Sequence, residues 1–222
     1  MENSFKILVL FYSFTGHTAR LAEVIAEGAK EIKEAVVEIK QVPEILPREF
    51  FYNKPELQEA RSGLSKFPVA SIEDLISADG VAFGSPVHFG SFTSQLKQFI
   101  DSLSPVYIKG TMVGKPAACF TSAGSLHGGE EAALISLIIP LLNLGMIPIG
   151  VPYPIQGEGS EFDAGSPYGA IFVSGHDGLR PLSEDDKTIA RVLGKRLSAM
   201  TKIIKSGCQA FPDCQFLYDK SE

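Results

Sequence analysis

The feature that most constrains this chain is a repeated alternation of short apolar runs with segments of helical periodicity. The first run, Lys6–Tyr12, is apolar almost throughout, which is typical of a parallel strand covered on both faces. A helix is predicted at Thr18–Lys33, because aliphatic and small residues recur there at helical spacing, and a second strand follows at Ala35–Val42. Strands that alternate with helices in this way favour a parallel sheet.

The same alternation continues through the rest of the chain. Three more strands are predicted at Gly80–Phe83, Pro116–Thr121 and Ile147–Val151, and four more helices at Ser71–Ala78, Thr93–Leu103, Glu130–Leu144 and Ser183–Ser206. Ser71 and Asp74 have the spacing of a capping box. Two long polar segments interrupt the pattern: Pro43–Pro68, with a short helix near Glu56–Arg61, and Gln156–Gly178. Five strands alternating with helices predict a doubly wound α/β sheet with helices on both faces.

Composition limits the classes of protein and partner. No linker-like segment divides the 222 residues, so one domain is expected over residues 1–206, followed by a tail over 207–222. A net charge of −6 with scattered basic residues argues against nucleic acid. The most apolar stretch, Ala132–Leu144, is shorter than the roughly 20 residues that span a bilayer, and no signal peptide is recognisable, so no integral membrane contact and a cytoplasmic location are expected.

The three cysteines do not indicate a metal site. Cys119 lies in a predicted buried strand, and Cys208 and Cys214 lie in the tail at a spacing that matches no zinc or iron–sulfur pattern. Structurally passive thiols are therefore the favoured interpretation, with a disulfide in the tail as the alternative.

The loop after the first strand has the composition of a phosphate site. Ligands of doubly wound sheets bind outside the carboxyl ends of the strands. This loop combines hydroxyls, a glycine and the start of a helix; its residues are Ser13, Phe14, Thr15, Gly16, His17 and Thr18. It has neither the lysine of a nucleoside triphosphate loop nor the glycine pattern of a dinucleotide loop, so its neutral donors suit the monophosphate of FMN. A plain helix cap is the competing explanation.

Two later loops are candidates for contact with a planar ring. The loop after the third strand contains Pro86, Val87, His88, Phe89 and Gly90. The loop after the fourth strand, Thr121–Gly129, is small and rich in donors; its candidate residues are Ser122, Ala123, Gly124 and Ser125. His88 by itself is as well explained by an ordinary loop histidine.

Taken together, these segments resemble a known family. The matching residues are Tyr12–His17, Phe83–Pro86, His88–Gly90, Ser166–Ala170, Gly175–Gly178 and Ile189–Arg191. From about Lys6 to Lys205 the chain resembles the WrbA-type NAD(P)H:quinone oxidoreductases. The resemblance implies a flavodoxin-like fold with a five-stranded parallel sheet in the order 2-1-3-4-5. It also implies bound FMN, a homotetramer, and two-electron reduction of quinones by NADH or NADPH, with ping-pong kinetics because both substrates would share one site.

The resemblance also implies roles for individual residues. Ser13–Thr18 would hold the phosphate, and Val87–Phe89 with Ser122–Ser125 would hold the isoalloxazine. Tyr107 stands where the family has a Trp that overhangs the flavin from a neighbouring subunit, and Asn143 stands where a His approaches the flavin. Thr15 and His88 replace a Tyr and an Arg of the family, and His88 or Tyr107 is the candidate catalytic residue that positions the quinone oxygen or relays a proton.

Three other functions fit parts of the sequence. A flavodoxin-type electron carrier is one, although the chain contains no Trp to clamp a flavin. A flavin-free regulatory module is another, but the first strand ends at Ser13 rather than at the acidic residues of a receiver domain. The third is an FMN protein reduced by a donor other than NAD(P)H, which the changes at Thr15 and Asn143 leave open.

Overall fold

A computed structural model describes residues 4–47, 49–52, 55–153 and 164–211. Within these residues the strands are β1 (Phe5–Phe11), β2 (Ala35–Gln41), β3 (Gly80–Pro86), β4 (Pro116–Ala123), β5 (Ile147–Ile149) and β6 (Ala170–Val173). The helices are α1 (His17–Lys30), α2 (Glu49–Tyr52), α3 (Pro55–Leu64), α4 (Ile72–Ser77), α5 (Ser94–Asp101), α6 (Ser104–Ile108), α7 (Glu130–Asn143) and α8 (Glu184–Ala210).

The sheet confirms the predicted topology. Its order is β2-β1-β3-β4-β5, and every pairing is parallel. The alternating side chains of β1 enter two separate cores: Ile7 and Val9 pack on the side of α1 and α8, while Leu8 and Leu10 pack on the side of α5 and α7. Helices therefore cover both faces of the sheet, as a doubly wound fold requires.

The sixth strand, β6, is an addition to the predicted five. It pairs with Phe120–Ala123 at the end of β4, whereas β5 pairs with Pro116–Ala118 at its beginning. The two short strands thus share one edge of β4, and the chain leaves the sheet between them. The sequence predicted no strand within the polar segment Gln156–Gly178, because four residues are too few to show a period. Residues 154–163 lie outside the described residues.

Helices α1 and α8 pack with their backbones in contact. A Cβ atom at Gly28 would lie 2.0 Å from the carbonyl oxygen of Arg191, and one at Gly194 would lie 1.9 Å from that of Ile25. Only glycine fits at these two positions. The contact fixes α1, whose first turn faces the loops at the carboxyl ends of the strands.

Several element boundaries differ from the predicted ones. Helix α1 ends at Lys30, three residues early, because the chain turns there and Glu34 has a φ of +77°. The helix predicted at Glu56–Arg61 lies within the longer α3, and α2 was not predicted. Helix α8 continues past Ser206 to Ala210, and Cys214 lies outside the described residues.

Other predictions are confirmed or given more detail. The capping box at Ser71 and Asp74 is present, and Cys119 is buried, which raises the pKa of its thiol and makes it unreactive.

Helix α7 buries only one side; Ile135, Ile139 and Leu142 on the other side are exposed. No helix in the described ranges is long and apolar enough to cross a membrane.

Ser183 begins α8 with a second capping box, which gives a stability prediction. Its hydroxyl accepts from the Asp186 N–H at 3.1 Å, and the Asp186 carboxylate accepts from the Ser183 N–H at 2.8 Å. Ser183→Ala leaves one of these donors without its partner, so we expect the free energy of unfolding to fall by about 1 kcal/mol. Urea denaturation followed by circular dichroism measures this, and Ser206→Ala, on the exposed side of the same helix, is the control expected to lose nothing.

Candidate functional site

A cleft of about 790 Å³ lies at the carboxyl ends of β1, β3 and β4. Three predicted loops line one side of it with Thr15, Gly16, His17, Pro86, Val87, Ser122, Ala123 and Gly124, joined by residues 174–179 after β6. The other side consists of α1 and α3 with the residues that follow α3; its members are Ala19, Arg20, Glu23, Glu59, Ala60, Gly63, Leu64, Lys66 and Phe67. The location is the one that the sheet topology predicts for a ligand.

The first loop forms a cradle of neutral donors. Gly16 has a φ of +89° and directly precedes α1, and a Cβ atom there would meet no other atom within 4 Å, so the backbone faces open space. Ser13 and Thr18 are buried beneath it, and the Thr18 hydroxyl lies 2.8 Å from that of Ser122. Within the described part of the chain, no protein acceptor takes the backbone N–H groups of residues 15–18. Free N–H groups at a helix N-terminus suit an anion such as a phosphate.

His17 joins the first loop to the segment after β6. Its Nε2 lies 2.9 Å from the carbonyl oxygen of Gly178, and its Nδ1 lies 2.7 Å from the Thr15 hydroxyl. Because a carbonyl only accepts, Nε2 donates to Gly178, while Nδ1 is hydrogen-bonded to the Thr15 hydroxyl. His17 therefore positions the two loops.

The second loop is a tight turn held by backbone bonds. His88 and Ser91 exchange N–H bonds of 2.8 and 3.1 Å, and Phe89 and Gly90 have φ angles of +53° and +75°. Phe89 is fully exposed at the tip. A Cβ atom at Gly129 would lie 2.9 Å from the Cα of Gly90, so the second and third loops touch here.

His88 sits between this turn and the first loop. Its ring centroid lies 6.3 Å from that of Phe14, which in turn packs against Phe50 and Phe51 of α2. Burial lowers the pKa of His88, because desolvation disfavours the charged imidazolium. The ring is consequently neutral at neutral pH.

The third loop presents donors in front of α7. Residues 124–128 are exposed, and among the described residues no backbone acceptor takes their N–H groups from Ser125 to Gly128. Glu130, the first residue of α7, is buried, and its Oε2 has no hydrogen-bond partner. A carboxylate is favoured at a helix N-terminus, but it also offsets some of the positive potential that α7 directs toward the loop.

A fourth loop, Ser174–Leu179, was absent from the predicted site. The Ser174 N–H donates to the Ala123 carbonyl at 2.8 Å, and Asp177 accepts from the Leu179 N–H at 3.0 Å. The sequence signal was the segment Gly175–Gly178 in the resemblance. It was not assigned to the site because β6, which places it beside β4, was not recognised.

Tyr12 was likewise not predicted as a support of the site. Its hydroxyl donates to Glu44 at 2.9 Å, and Glu44 also pairs with Arg61 at 3.1 Å and accepts from Gln95 at 3.1 Å. Burial and the neighbouring carboxylate raise the pKa of Tyr12, so the phenol stays protonated and donating. This network fastens α3, the far wall of the cleft, to the end of β1.

The remaining predicted residues lie near the cleft or apart from it. Phe14, His88, Phe89, Gly90 and Ser125 belong to the loops but do not line the cleft. Tyr107, on α6, is exposed and does not line it. Asn143 donates to the Ile139 carbonyl at 3.0 Å and lines a separate groove with Ser91 and Phe92. Within a single chain the structure does not bring Tyr107 and Asn143 into the cleft.

A doubly wound parallel sheet in the order 2-1-3-4-5, with four loops at the carboxyl ends of its strands, has the flavodoxin-like fold. The family model described as NADPH-dependent FMN reductase matches residues 5–160, and the chain belongs to this family. This membership bears out the resemblance inferred from the motifs.

Curated relatives and solved structures agree with this assignment. The chain is 40% identical over 197 residues to a protein of Geotalea uraniireducens named NAD(P)H dehydrogenase (quinone), covering 88% of this chain and 97% of the relative. It is 37% identical to one of the same name from Solidesulfovibrio magneticus, covering 90% and 99%. The fold matches a WrbA-like flavodoxin protein from Agrobacterium tumefaciens with a TM-score of 0.56 at 23% identity, covering 90% and 98%. Oxidised Flavodoxin 2 from Bacillus cereus matches with a TM-score of 0.56 at 17% identity, covering 87% and 98%.

Proposed function

We propose that this protein binds FMN in the cleft and reduces quinones with NADH or NADPH. The observation that carries the proposal is the first loop, residues 13–18, in which the N–H groups of residues 15–18 have no protein acceptor among the described residues and the backbone at Gly16 faces open space. Family membership and the shared name of the relatives support the same chemistry.

The residues present fit FMN. Residues 13–18 would hold the phosphate, because they supply N–H donors and a glycine that admits the ligand to the backbone. Residues 86–90 and 122–125, which are joined by the hydrogen bond of 2.8 Å from the Val87 N–H to the Ser122 carbonyl, would hold the isoalloxazine. Bound FMN supplies a ring that accepts a hydride and passes on two electrons, and the protein orients the reactants around it.

The protein's own groups have distinct tasks in this proposal. The N–H groups of residues 125–128 would be available to donate to the polar edge of a bound ring and to stabilise negative charge there. His88 lies near the entrance, where its protonated imidazolium form would donate to the quinone oxygen, with Tyr107 as the alternative donor. Because both substrates would enter the same cleft in turn, the proposal includes ping-pong kinetics.

The assembly and the location are part of the same proposal. The exposed apolar side of α7, formed by Ile135, Ile139 and Leu142, supports packing against other copies in a homotetramer. In such an assembly Tyr107 and Asn143 of one chain would approach the cleft of a neighbour. A cytoplasmic location accords with the proposed use of NADH or NADPH and with the free thiols of Cys119 and Cys208.

An anaerobic spectral titration tests the function. The purified protein is mixed with FMN, then with NADH or NADPH, and finally with benzoquinone. We expect flavin bands that bleach directly to the two-electron-reduced form and return when the quinone is added. A one-electron-reduced form that accumulates would instead indicate an electron carrier. Bound FMN that neither nicotinamide bleaches would point to another donor, and absence of FMN binding would refute the proposal.

The role of His88 gives a separate prediction. We expect His88→Ala to lower quinone turnover by about tenfold to a hundredfold, which is at the low end of the effects seen when a proton donor is lost. The dissociation constant for FMN should stay unchanged. Since burial lowers the pKa of His88, the imidazolium forms only below about pH 6.5, and the wild-type rate with quinone should rise as the pH falls through that region. The pH profile of His88→Ala should lack this rise. Equal rates and profiles in the two proteins would remove His88 from the mechanism.

A further inference from the structure

Arg20 differs from the other arginines that the structure describes. Arg61 pairs with Glu44, Arg180 with Asp186, and Arg191 with Glu27, while Arg196 donates to the carbonyl of Gly150. The side chain of Arg20 has no ion pair or hydrogen bond with any residue of the described ranges. A guanidinium has five donors and an obligatory charge, so an unpaired one beside a cleft is available to a ligand.

Arg20 lies on the first turn of α1, just after the loop formed by residues 13–18. It is the fourth residue of α1, its backbone N–H donates to the Gly16 carbonyl at 3.1 Å, and it lines the same cleft as Gly16. On the opposite wall, a Cβ atom at Gly63 would meet nothing within 4 Å. Arg20 and Gly63 thus both line the open volume of the cleft.

Among the described residues that line the cleft, Arg20 is the Lys or Arg side chain without an ion pair. Lys66 pairs with Glu23 and lies 4.9 Å from the centre of the Phe67 ring. Glu59 also lines the cleft but does not reach ion-pair distance from Arg20. The cradle itself offers uncharged backbone N–H donors, and both ring nitrogens of His17 are engaged, by the Gly178 carbonyl and the Thr15 hydroxyl.

We infer that Arg20 is a phosphate-recognition residue, which pairs with the terminal phosphate of FMN and makes the cleft select FMN over riboflavin. The inference rests on the proposed function and names a residue outside the predicted cradle. Near neutral pH a phosphate monoester carries close to two negative charges, which uncharged N–H groups compensate only in part. Guanidinium supplies charge-assisted and bidentate bonds to phosphate oxygens, and in a protein of net charge −6 this local cation offsets the long-range repulsion of the ligand.

Equilibrium binding to the purified full chain tests this inference. FMN and riboflavin share the ring and differ in the phosphate, so quenching of their fluorescence gives two dissociation constants for each variant. We expect Arg20→Gln to raise the dissociation constant for FMN by about tenfold or more, and that for riboflavin by less than twofold. Arg20→Lys should recover part of the FMN affinity, because lysine keeps the charge but loses the fork geometry.

Lys30→Gln is the matched control. It removes one positive charge from the exposed last turn of the same helix, about 15 Å from Arg20 along the axis. That separation exceeds the Debye length of about 8 Å at physiological salt, so FMN binding should be unaltered. Thermal melting shows that the variants remain folded.

Three results would overturn the inference. Equal losses of FMN and riboflavin affinity in Arg20→Gln would show a structural role. Unchanged flavin affinities with a higher KM for NADPH, but not for NADH, would show that Arg20 serves the phosphate of the nicotinamide substrate. A wild-type protein that binds FMN no better than riboflavin would show that the phosphate is not recognised. Failure of the wild type to bind either flavin is a different result, because it refutes the proposed function itself.

Discussion

Gly194→Ala is expected to lower the free energy of unfolding by about 3 kcal/mol, at the upper end of overpacking effects. The new Cβ atom would lie 1.9 Å from the carbonyl oxygen of Ile25 and 2.9 Å from the backbone nitrogen of Ala29. Both atoms belong to the backbone of α1, so no side chain can rotate to make room, and the two helices must separate. Chemical denaturation followed by circular dichroism measures the loss.

The control for Gly194 lies on the same helix. A Cβ atom at Gly207 would meet nothing within 4 Å. Gly207→Ala should therefore stabilise the protein by up to about 1 kcal/mol, the difference in helix propensity between the two residues. If Gly194→Ala and Gly207→Ala had the same free energy of unfolding, the close approach of α1 and α8 would not explain the predicted loss of stability.

Gly124→Trp is expected to weaken FMN binding by at least about a hundredfold while the protein stays folded. Gly124 is exposed and lines the cleft, and a Cβ atom there would meet only the Gly175 carbonyl oxygen, at 3.7 Å. The backbone thus tolerates a side chain, and an indole would occupy volume that the ligand needs. Titration with FMN measures the dissociation constant, and a melting curve reports the fold.

The chain contains no Trp, so any introduced indole is also a unique fluorophore. Ile203→Trp, on the exposed side of α8, is the control and should bind FMN as the wild type does. Tight FMN binding by Gly124→Trp would show that the flavin does not lie in this cleft. A loss shared by both tryptophan variants would show that the effect is not local.

The sheet and its first loop were predictable because each has a strong local signal. The continuous apolar run at Lys6–Tyr12 indicates a buried parallel strand, and the glycine and hydroxyls that follow it indicate a cradle. Strand β6 has no such signal. It is a strand because β4 provides unpaired backbone groups beside it, and no local pattern records that pairing.

The parts of the site that sequence reasoning did not find all depend on contacts distant in sequence. Ser174–Leu179 joins the cleft only because β6 places it next to β4. The far wall joins it because Tyr12 and Glu44 meet across 32 positions. Neither the spacing nor the composition of the sequence predicts a contact between residues so far apart in the chain. Each of the three predicted loops, in contrast, follows a strand that can be recognised from its own sequence.

The packing of α1 against α8 also has a consequence for biosynthesis. The helix whose first turn forms the cradle is synthesised well before its packing partner, with Glu27 and Arg191 separated by 164 positions. Until the closing helix has emerged, the apolar side of α1 has no full cover on its outer side. The first loop therefore gains its full support only after α8 has been synthesised, and a nascent chain arrested before Glu184 should have a partial sheet and a first loop without a fixed position.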